Sequence, residues 1–184
     1  MILDNRALLK DIQYEDLSLV LNWRNQNHIR TVMYNSDYIS IEQHLAWYER
    51  LLINEKALSK LFYFDGVPYG IVNINEINPI HKSCEWGFYI GNTNASRGMG
   101  TVLGYTALNY IFNDLKLRKV NASVLDKNPR SKHFHEKLGF KHDVTRREHI
   151  LKDGQFMDIN DYSILHNEWK SHLKQVEERM EWYI

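Results

Sequence analysis

The apolar positions of the chain change period repeatedly, from two to about 3.6 and back, and each change predicts a new element. Leu8 to Ile12 reads as a short strand, after which Leu17, Val20, Leu21 and Trp23 recur at helical spacing and predict a helix over 15–25. Ser40-Ile41-Glu42-Gln43 has the Ser-x-x-Gln form of a capping box, with Leu45, Tyr48, Leu51 and Leu52 behind it, so a second helix should run to about Ile53. Between Leu61 and Ile77 two β-prone runs flank Asp65-Gly66, a dipeptide suited to the positive φ angles of a hairpin turn.

Glu85 to Ile90 is the next strand, followed by Arg97-Gly98-Met99-Gly100-Thr101 and a helix marked by Val102, Leu103, Leu108, Ile111, Phe112 and Leu115. A strand near Val120 to Leu125 precedes Asn128-Pro129, which disfavours helix at Asn128. A short helix from Ser131 to Leu138 should then end at Gly139, a good left-handed cap. Asp153-Gly154 joins a last pair of strands, and Trp169, Leu173, Val176, Met180 and Trp182 predict an amphipathic helix over 165–184. That helix can pack on the body or on the second subunit of a homodimer; the spacing leaves both open. The order of elements is that of one mixed α/β domain without linker or repeat.

Composition adds limits. The 184 residues fit one domain, 43% hydrophobic and 25% charged, with 23 basic and 23 acidic side chains and a net charge of zero. No global positive field recruits nucleic acid or anionic lipid, so an anionic ligand must be held locally. The single cysteine, Cys84, excludes an internal disulfide, and the amino terminus has no signal-peptide pattern, which makes a reducing cytoplasm the expected setting. No apolar run approaches the roughly 20 residues of a membrane span. Cys84 lies in an alternating apolar stretch, where a buried small side chain is expected. His133 and His135 are two apart and point in different directions on a helix, and no Cys/His spacing matches a zinc site; no metal is expected.

The glycine segment brings in chemistry. It follows a strand and opens a helix, and glycines at 98 and 100 let an anion approach the main chain while the free amides of the first turn favour its charge. Alone such a turn is a weak signal. About thirty residues on, however, Asn128, Ser131, Phe134, His135, Gly139 and Phe140 form a second constellation on a loop and short helix.

Together these motifs resemble the acetyl-coenzyme A-dependent N-acetyltransferases of the GNAT superfamily. The resemblance implies a central, mostly antiparallel sheet with splayed strands, flanked by helices, in a domain over 1–164. It implies acetyl-coenzyme A as co-substrate, with Arg97, Gly98, Met99, Gly100 and Thr101 at the pyrophosphate and Phe88, Tyr89, Ile90, Asn128, Ser131 and Phe134 along the pantetheine and thioester. In the Arg/Gln-x-x-Gly-x-Gly/Ala form of the motif Arg97 and Gly100 match, and Val102 replaces the last small residue. Many relatives carry a tyrosine after the phenylalanine that protonates the departing thiolate; here that position is His135. An imidazole with an ordinary pKa near ~6.5 can act so if it stays protonated or is resupplied from water; otherwise it only lines the groove. Glu85 is the nearest carboxylate able to take the amine's proton through water, or else a solvated strand end, and Asp126 is a further possibility.

The first third of the chain carries an aromatic and basic set: Trp23-Arg24-Asn25, Arg30, Met33-Tyr34, Ile39-Ser40, His44 and Trp47, joined by Asn78-Pro79-Ile80-His81-Lys82. Such side chains suit a base or sugar to stack and a diphosphate to pair, although Trp23 and Trp47 also fit core positions. The set resembles the PseH branch, which acetylates the 4-amino group of a UDP-linked 4-amino-4,6-dideoxy sugar in pseudaminic acid biosynthesis. It implies a nucleotide-sugar acceptor, with Arg24, Arg30, Met33, Tyr34, His44, Trp47 and His81 on the acceptor side. Closely related layouts serve acetylation of ribosomal-protein termini or polyamines, and a non-catalytic coenzyme A-binding domain is the alternative of a different class.

Overall fold

The computed structural model describes residue 3 and residues 5–180. A seven-stranded sheet in the order β1-β2-β3-β4-β5-β7-β6 forms its centre. The strands are β1 (Ala7–Asp11), β2 (Leu58–Phe64), β3 (Val67–Asn78), β4 (Ser83–Ile90), β5 (Lys119–Leu125), β6 (Lys141–Lys152) and β7 (Gln155–Leu165). Neighbours pair antiparallel except β4 with β5, which run parallel. Three helices precede β2: α1 (Leu17–Arg24), the single turn α2 (Asn27–Arg30) and α3 (Ile41–Ile53). After β4 come α4 (Met99–Asn109), α5 (Pro129–Lys137) between β5 and β6, and α6 (His166–Met180) after β7.

The helix predicted over 15–25 is in fact a 3-10 turn at Tyr14–Asp16 followed by α1. Gln26 then adopts an extended conformation and starts α2, an element that sequence periodicity missed because four residues are too few to show a period. Other boundaries follow local chemistry. Ser40 and Gln43 form the reciprocal capping box at α3, Asp65 and Gly66 both take positive φ in the β2–β3 turn, and Gly139 ends the α5 segment at φ 90°. The C-terminal part of the predicted last helix, Trp182 included, lies outside the described residues.

Strand alternation sorts side chains onto two faces. Phe62, Val72, Ile74, Val120 and Ile164 face a large core with Val102, Leu103, Leu108 and Ile111 of α4 and with Trp169, Val176 and Met180 of α6. Their neighbours Leu61 and Ile71 face the opposite way, onto a smaller core with Leu17, Val20, Trp23 and Ile29. Leu61, Phe62, Val72 and Ile74 are fully buried, and truncating any of them to alanine should cost about 2–5 kcal/mol. Val102 itself is core, 1% exposed. Close helix packing is provided two residues later, since a Cβ at Gly104 would sit 2.6 Å from Leu138 Cδ1 and 2.9 Å from Phe134 Cζ.

What positions a site is the way β4 and β5 part. Their parallel pairing covers only Ser83, Cys84 and Glu85 against Lys119, Val120 and Asn121. Beyond it β4 continues to Ile90 beside β3, and β5 continues to Leu125 beside β7. The sheet therefore opens at its middle, and main-chain groups of β4 after Glu85 have no β5 partner. Among the described residues no helix is long and apolar enough to cross a membrane.

Candidate active site

A cavity of about 770 Å³ lies over the opening. Its floor is the polar face of the strands, Asn73, Asn75, Glu85 and Ser123, with Trp86, Gly87, Phe88 and Tyr89 where β4 departs. One wall comes from Asn128, Ser131 and His135 around α5, the other from Arg24, Met33, Tyr34, His44 and Trp47 of the amino-terminal helices and their connection. A Cβ at Gly87 would meet nothing within 4 Å, so this glycine leaves open space beside main chain that has lost its strand partner.

At the other end of β4, Gly98 caps α4 with φ 96°, a conformation that strains any residue with a Cβ. Met99 N–H donates to Ser96 O at 3.2 Å, and Thr101 and Val102 N–H both donate to Gly98 O. The Gly98 and Gly100 amides have no main-chain acceptor among the described residues, so two donors at a helix start are left for an anion. The Gly100 Cα faces Phe134, whose Cε2 would be 3.7 Å from an added Cβ, and Phe134 packs on Phe88 at 4.6 Å between ring centroids. The turn, α5 and β4 are thus joined by two aromatic rings.

His135 is 4% exposed and enclosed by Trp86, Phe88, Phe134, Phe140 and Tyr162, with ring centroids 5.0–6.1 Å away. Its Nδ1 lies 2.8 Å from the Ser131 carbonyl. A carbonyl only accepts, so Nδ1 carries the proton and donates it. Burial pulls the imidazole pKa down to about 4, against the raising effect of that hydrogen bond. At neutral pH the ring is uncharged. Asn128 holds the same segment, its Oδ1 accepting from Ser131 N–H at 3.0 Å as the N-cap of α5.

Glu85 stands where β4 and β5 part. Burial raises its pKa, a hydrogen bond from Ser123 lowers it, Glu76 and Asp161 raise it, and Arg146 lowers it. A carboxylate shifted upward but kept beside a cation is a reasonable proton acceptor near neutral pH. Tyr34 also reaches Ser123, with its phenol pushed up by burial first. On the outer wall His44 stacks on Trp47 at 5.0 Å, and burial lowers its pKa while the Leu17 backbone opposes. Arg24 donates from Nη2 to Asn35 O at 2.9 Å and Arg30 from Nη1 to Ser36 O at 2.8 Å. Arg24 Nη1 and Arg30 Nε are buried with no protein partner, and neither guanidinium pairs with a carboxylate among the described residues. Cys84 is buried, its thiol pushed up to about 12 by desolvation first and then by Glu85, which removes it as a nucleophile.

A family model described as an acetyltransferase (GNAT) domain matches residues 6–141. The chain belongs to the GNAT acetyltransferases. It is an N-acetyltransferase whose co-substrate is acetyl-coenzyme A, and the opening between β4 and β5, the open space at Gly87 and the two free amides at α4 fit a long thioester. The spermidine N(1)-acetyltransferase of Vibrio cholerae is 26% identical over 175 residues, covering 91% of this chain and 97% of that one. Acetyltransferase PseH of Campylobacter jejuni is 26% identical over 130 residues, 71% and 80% of the two chains. The crystal structure of the V. cholerae enzyme with coenzyme A and spermine superposes with a TM-score of 0.82 at 24% identity, over 90% of this chain and 98% of that one; it shares the fold.

Within this GNAT chain the sequence-predicted residues do not all converge. Arg24, Met33, Tyr34, His44, Trp47, Glu85, Phe88, Tyr89, Asn128, Ser131 and His135 line one cavity. Arg30, Ile90, Phe134 and the glycine turn do not line it, although Arg30 lies near Arg24 and lowers its pKa, after burial and against Tyr89. Met99 needs correction as a coenzyme contact: its side chain is core and its amide is used by Ser96. Thr101 is 5% exposed, with its amide on Gly98 and its hydroxyl accepting from Lys137, so of the turn Arg97 and the two glycine amides remain for a ligand. His81 is exposed in the β3–β4 turn, outside the cavity; its N–H, like that of Ile80, bonds Asn78 Oδ1. That turn chemistry accounts for the Asn-Pro-Ile-His stretch. Asp126 is tied to Lys132 and Asn160, a structural role. Trp23 is core, packed so closely on Gly91 that a Cβ there would overlap its ring.

Sequence reasoning missed Ser123, Asn73, Asn75, Asp161 and Arg146. Their only signal was polar alternation in strands, which ordinarily marks a solvent face. Here that face is roofed by residues 31–40, a connection tied down by Lys152 Nζ donating to Met33 O and Ser36 Oγ donating to Asp153 Oδ1.

Proposed function

We propose that this N-acetyltransferase acts on a nucleotide-activated amino sugar, transferring acetyl to the 4-amino group of UDP-4-amino-4,6-dideoxy-N-acetyl-β-L-altrosamine, as in pseudaminic acid biosynthesis. The observation that carries this reading is the Arg24–Arg30 pair. Arg24 lines the cavity with the Trp47 and Tyr34 rings and Arg30 lies near it behind the lining; two half-buried guanidiniums without a carboxylate partner suit a diphosphate flanked by a base and a sugar. A polycationic acceptor would meet repulsion there.

Acetyl-coenzyme A supplies an activated acetyl thioester. On this reading the Gly98 and Gly100 amides and Arg97 hold the pyrophosphate, and the unpartnered main chain of β4 receives the pantetheine and the developing oxyanion. The acceptor amine enters from the Arg24 side and attacks as the neutral base. A carbon–nitrogen bond forms and the carbon–sulfur bond breaks, the amine's proton goes to Glu85, and the thiolate is protonated from water. His135 is a neutral wall of the groove whose Nδ1–H is held by Ser131.

A second reading has its own support. The spermidine acetyltransferase of V. cholerae matches 91% of this chain and PseH 71%, and Asp37 and Glu85 give the cavity two carboxylates that a polyamine could use. A mass-spectrometric acetyl-transfer assay across UDP-linked 4-amino sugars, spermidine and protein-terminal peptides separates them. Acetylated sugar is the expected product. Acetylated spermidine with untouched sugar would replace the first reading by the second, and coenzyme binding without any product would overturn both acceptor readings.

A further inference from the structure

Four strands each contribute one polar side chain to a line that begins with Glu85 on β4 and Ser123 on β5, which line the cavity, and continues behind its lining to Asp161 on β7 and Arg146 on β6. Glu85 is the register partner of Asn121, and Ser123 stands two residues further along β5 on the same face. Asp161 is the register partner of Ser123. Arg146 donates from Nη2 to Asp161 Oδ1 at 2.7 Å and to Ser123 Oγ at 3.3 Å; its Nε lies 2.7 Å from Asp161 Oδ2 as an ion-pair contact without a hydrogen bond, and its Nη1 lies 2.5 Å from His149 Nε2. Burial raises the pKa of both Glu85 and Tyr34 while Ser123 lowers it, and Ser123 lines the same cavity as both.

Arginine on an edge strand ordinarily extends into water. Here β6 is irregular: its register against β7 shifts between Arg146 and Ile150, Glu148 takes φ 47°, and Glu148 N–H donates to Asp158 Oδ1 at 2.8 Å. Bulges beside active sites re-aim side chains, and this one accompanies a guanidinium laid back over β7 toward β5. A guanidinium held on a carboxylate by an ion pair and one charge-assisted hydrogen bond is restrained enough to fix what it touches.

We propose that Arg146, clamped by Asp161, is a positioning residue that orients Ser123, aims the Glu85 carboxylate at the acceptor amine and supplies the cation that faces it. The charged and titratable groups around Glu85 come from every neighbouring element: Glu76 from β3, Asp161 from β7, Tyr34 from the 31–40 connection and Arg146 from β6. Arg146 is the cation in this set. Without it a half-buried carboxylate faces two others and holds its proton more tightly. The proposal rests on Glu85 as the proton acceptor, so its test must fail separately from that reading.

The measurement is a ¹³C NMR titration of glutamate side-chain carboxylates in the full-length protein, with the Glu85 resonance identified by its loss in E85Q. In Arg146→Gln the Glu85 midpoint should move to higher pH, and the acid limb of kcat with the UDP-linked 4-amino sugar should move with it; Arg146→Lys should restore much of both. Circular dichroism melts check that the variants fold, and the exposed edge position of β6 makes this the expected result. An unmoved Glu85 midpoint in Arg146→Gln, with E85Q inactive, overturns the role of Arg146 alone. Full turnover in E85Q overturns the role of Glu85 and the proposal with it.

Discussion

The donor and acceptor ends of the cavity are built from different material. At the start of α4 the binding groups are main-chain amides of Gly98 and Gly100, two residues apart and left without main-chain acceptors where Gly98 sits at φ 96°. At the floor they are side chains of β3, β4 and β5 backed by Asp161 and Arg146, with Arg146 and Glu85 brought together across 61 positions of sequence only by the sheet order β4-β5-β7-β6. A main-chain site depends on local conformation and tolerates changes that preserve it. A side-chain site depends on every partner, so single substitutions there should act on chemistry before they act on stability.

The largest expected effect tests that contrast at the floor. Glu85→Gln keeps the shape and removes the proton acceptor, and turnover should fall about 10²- to 10⁴-fold. Coenzyme A affinity by calorimetry should be unchanged, since the carboxylate is remote from the glycine turn. Turnover within twofold of the parent would remove Glu85 from the chemistry.

Next comes the wall between the two ends. The folded protein protonates His135 only near pH 4, whereas an unfolded chain does so near ~6.5. Between those values the unfolded state binds more protons, so the stability conferred by neutral His135 is complete above ~6.5 and declines as the pH falls toward 4. At ~1.36 kcal/mol per unit the loss reaches about 3 kcal/mol. His135→Phe should flatten that decline in denaturant melts across this range. A neutral ring also predicts no descending limb of kcat through neutral pH; a limb there that vanishes in His135→Phe would restore an imidazolium donor.

These contrasts also explain what the sequence disclosed. The helix opening at the glycine turn, the Ser40–Gln43 box and the Asp65-Gly66 hairpin are local devices, each fixed by a few consecutive residues and legible in the chain, whereas the start of α5 at Pro129 under an Asn128 cap, two residues before the expected Ser131, is not. The polar alternation of Asn73/Asn75 and Asn121/Ser123 was visible too, but it looks identical whether water or a 31–40 roof covers it. His81 misled for the opposite reason, being a functional-looking side chain in a stretch whose pattern serves only the Asn78 turn. His135 was located correctly, while its charge state depended on five aromatic neighbours from α5, β4, β7 and the α5–β6 connection that no spacing reveals.

The two smallest effects separate the two glycines of the donor turn. Gly98→Ala forces a Cβ into the left-handed region and should cost about 1–2 kcal/mol, lowering the melting temperature by roughly 2–4 °C per kcal/mol in a chain of this size and weakening coenzyme A binding as the cap relaxes. Gly100→Ala adds a Cβ at ordinary contact distance, 3.7 Å from Phe134, inside a helix where alanine is the better former by up to about 1 kcal/mol. Its melting temperature should hold or rise slightly. If the Gly100 amide is a pyrophosphate donor, the same methyl should obstruct close approach and weaken coenzyme A binding by calorimetry, opposing the change in stability. Unaltered affinity in Gly100→Ala would leave Gly98 and Arg97 as the anion site and show that Gly100 serves the packing of α4 on Phe134.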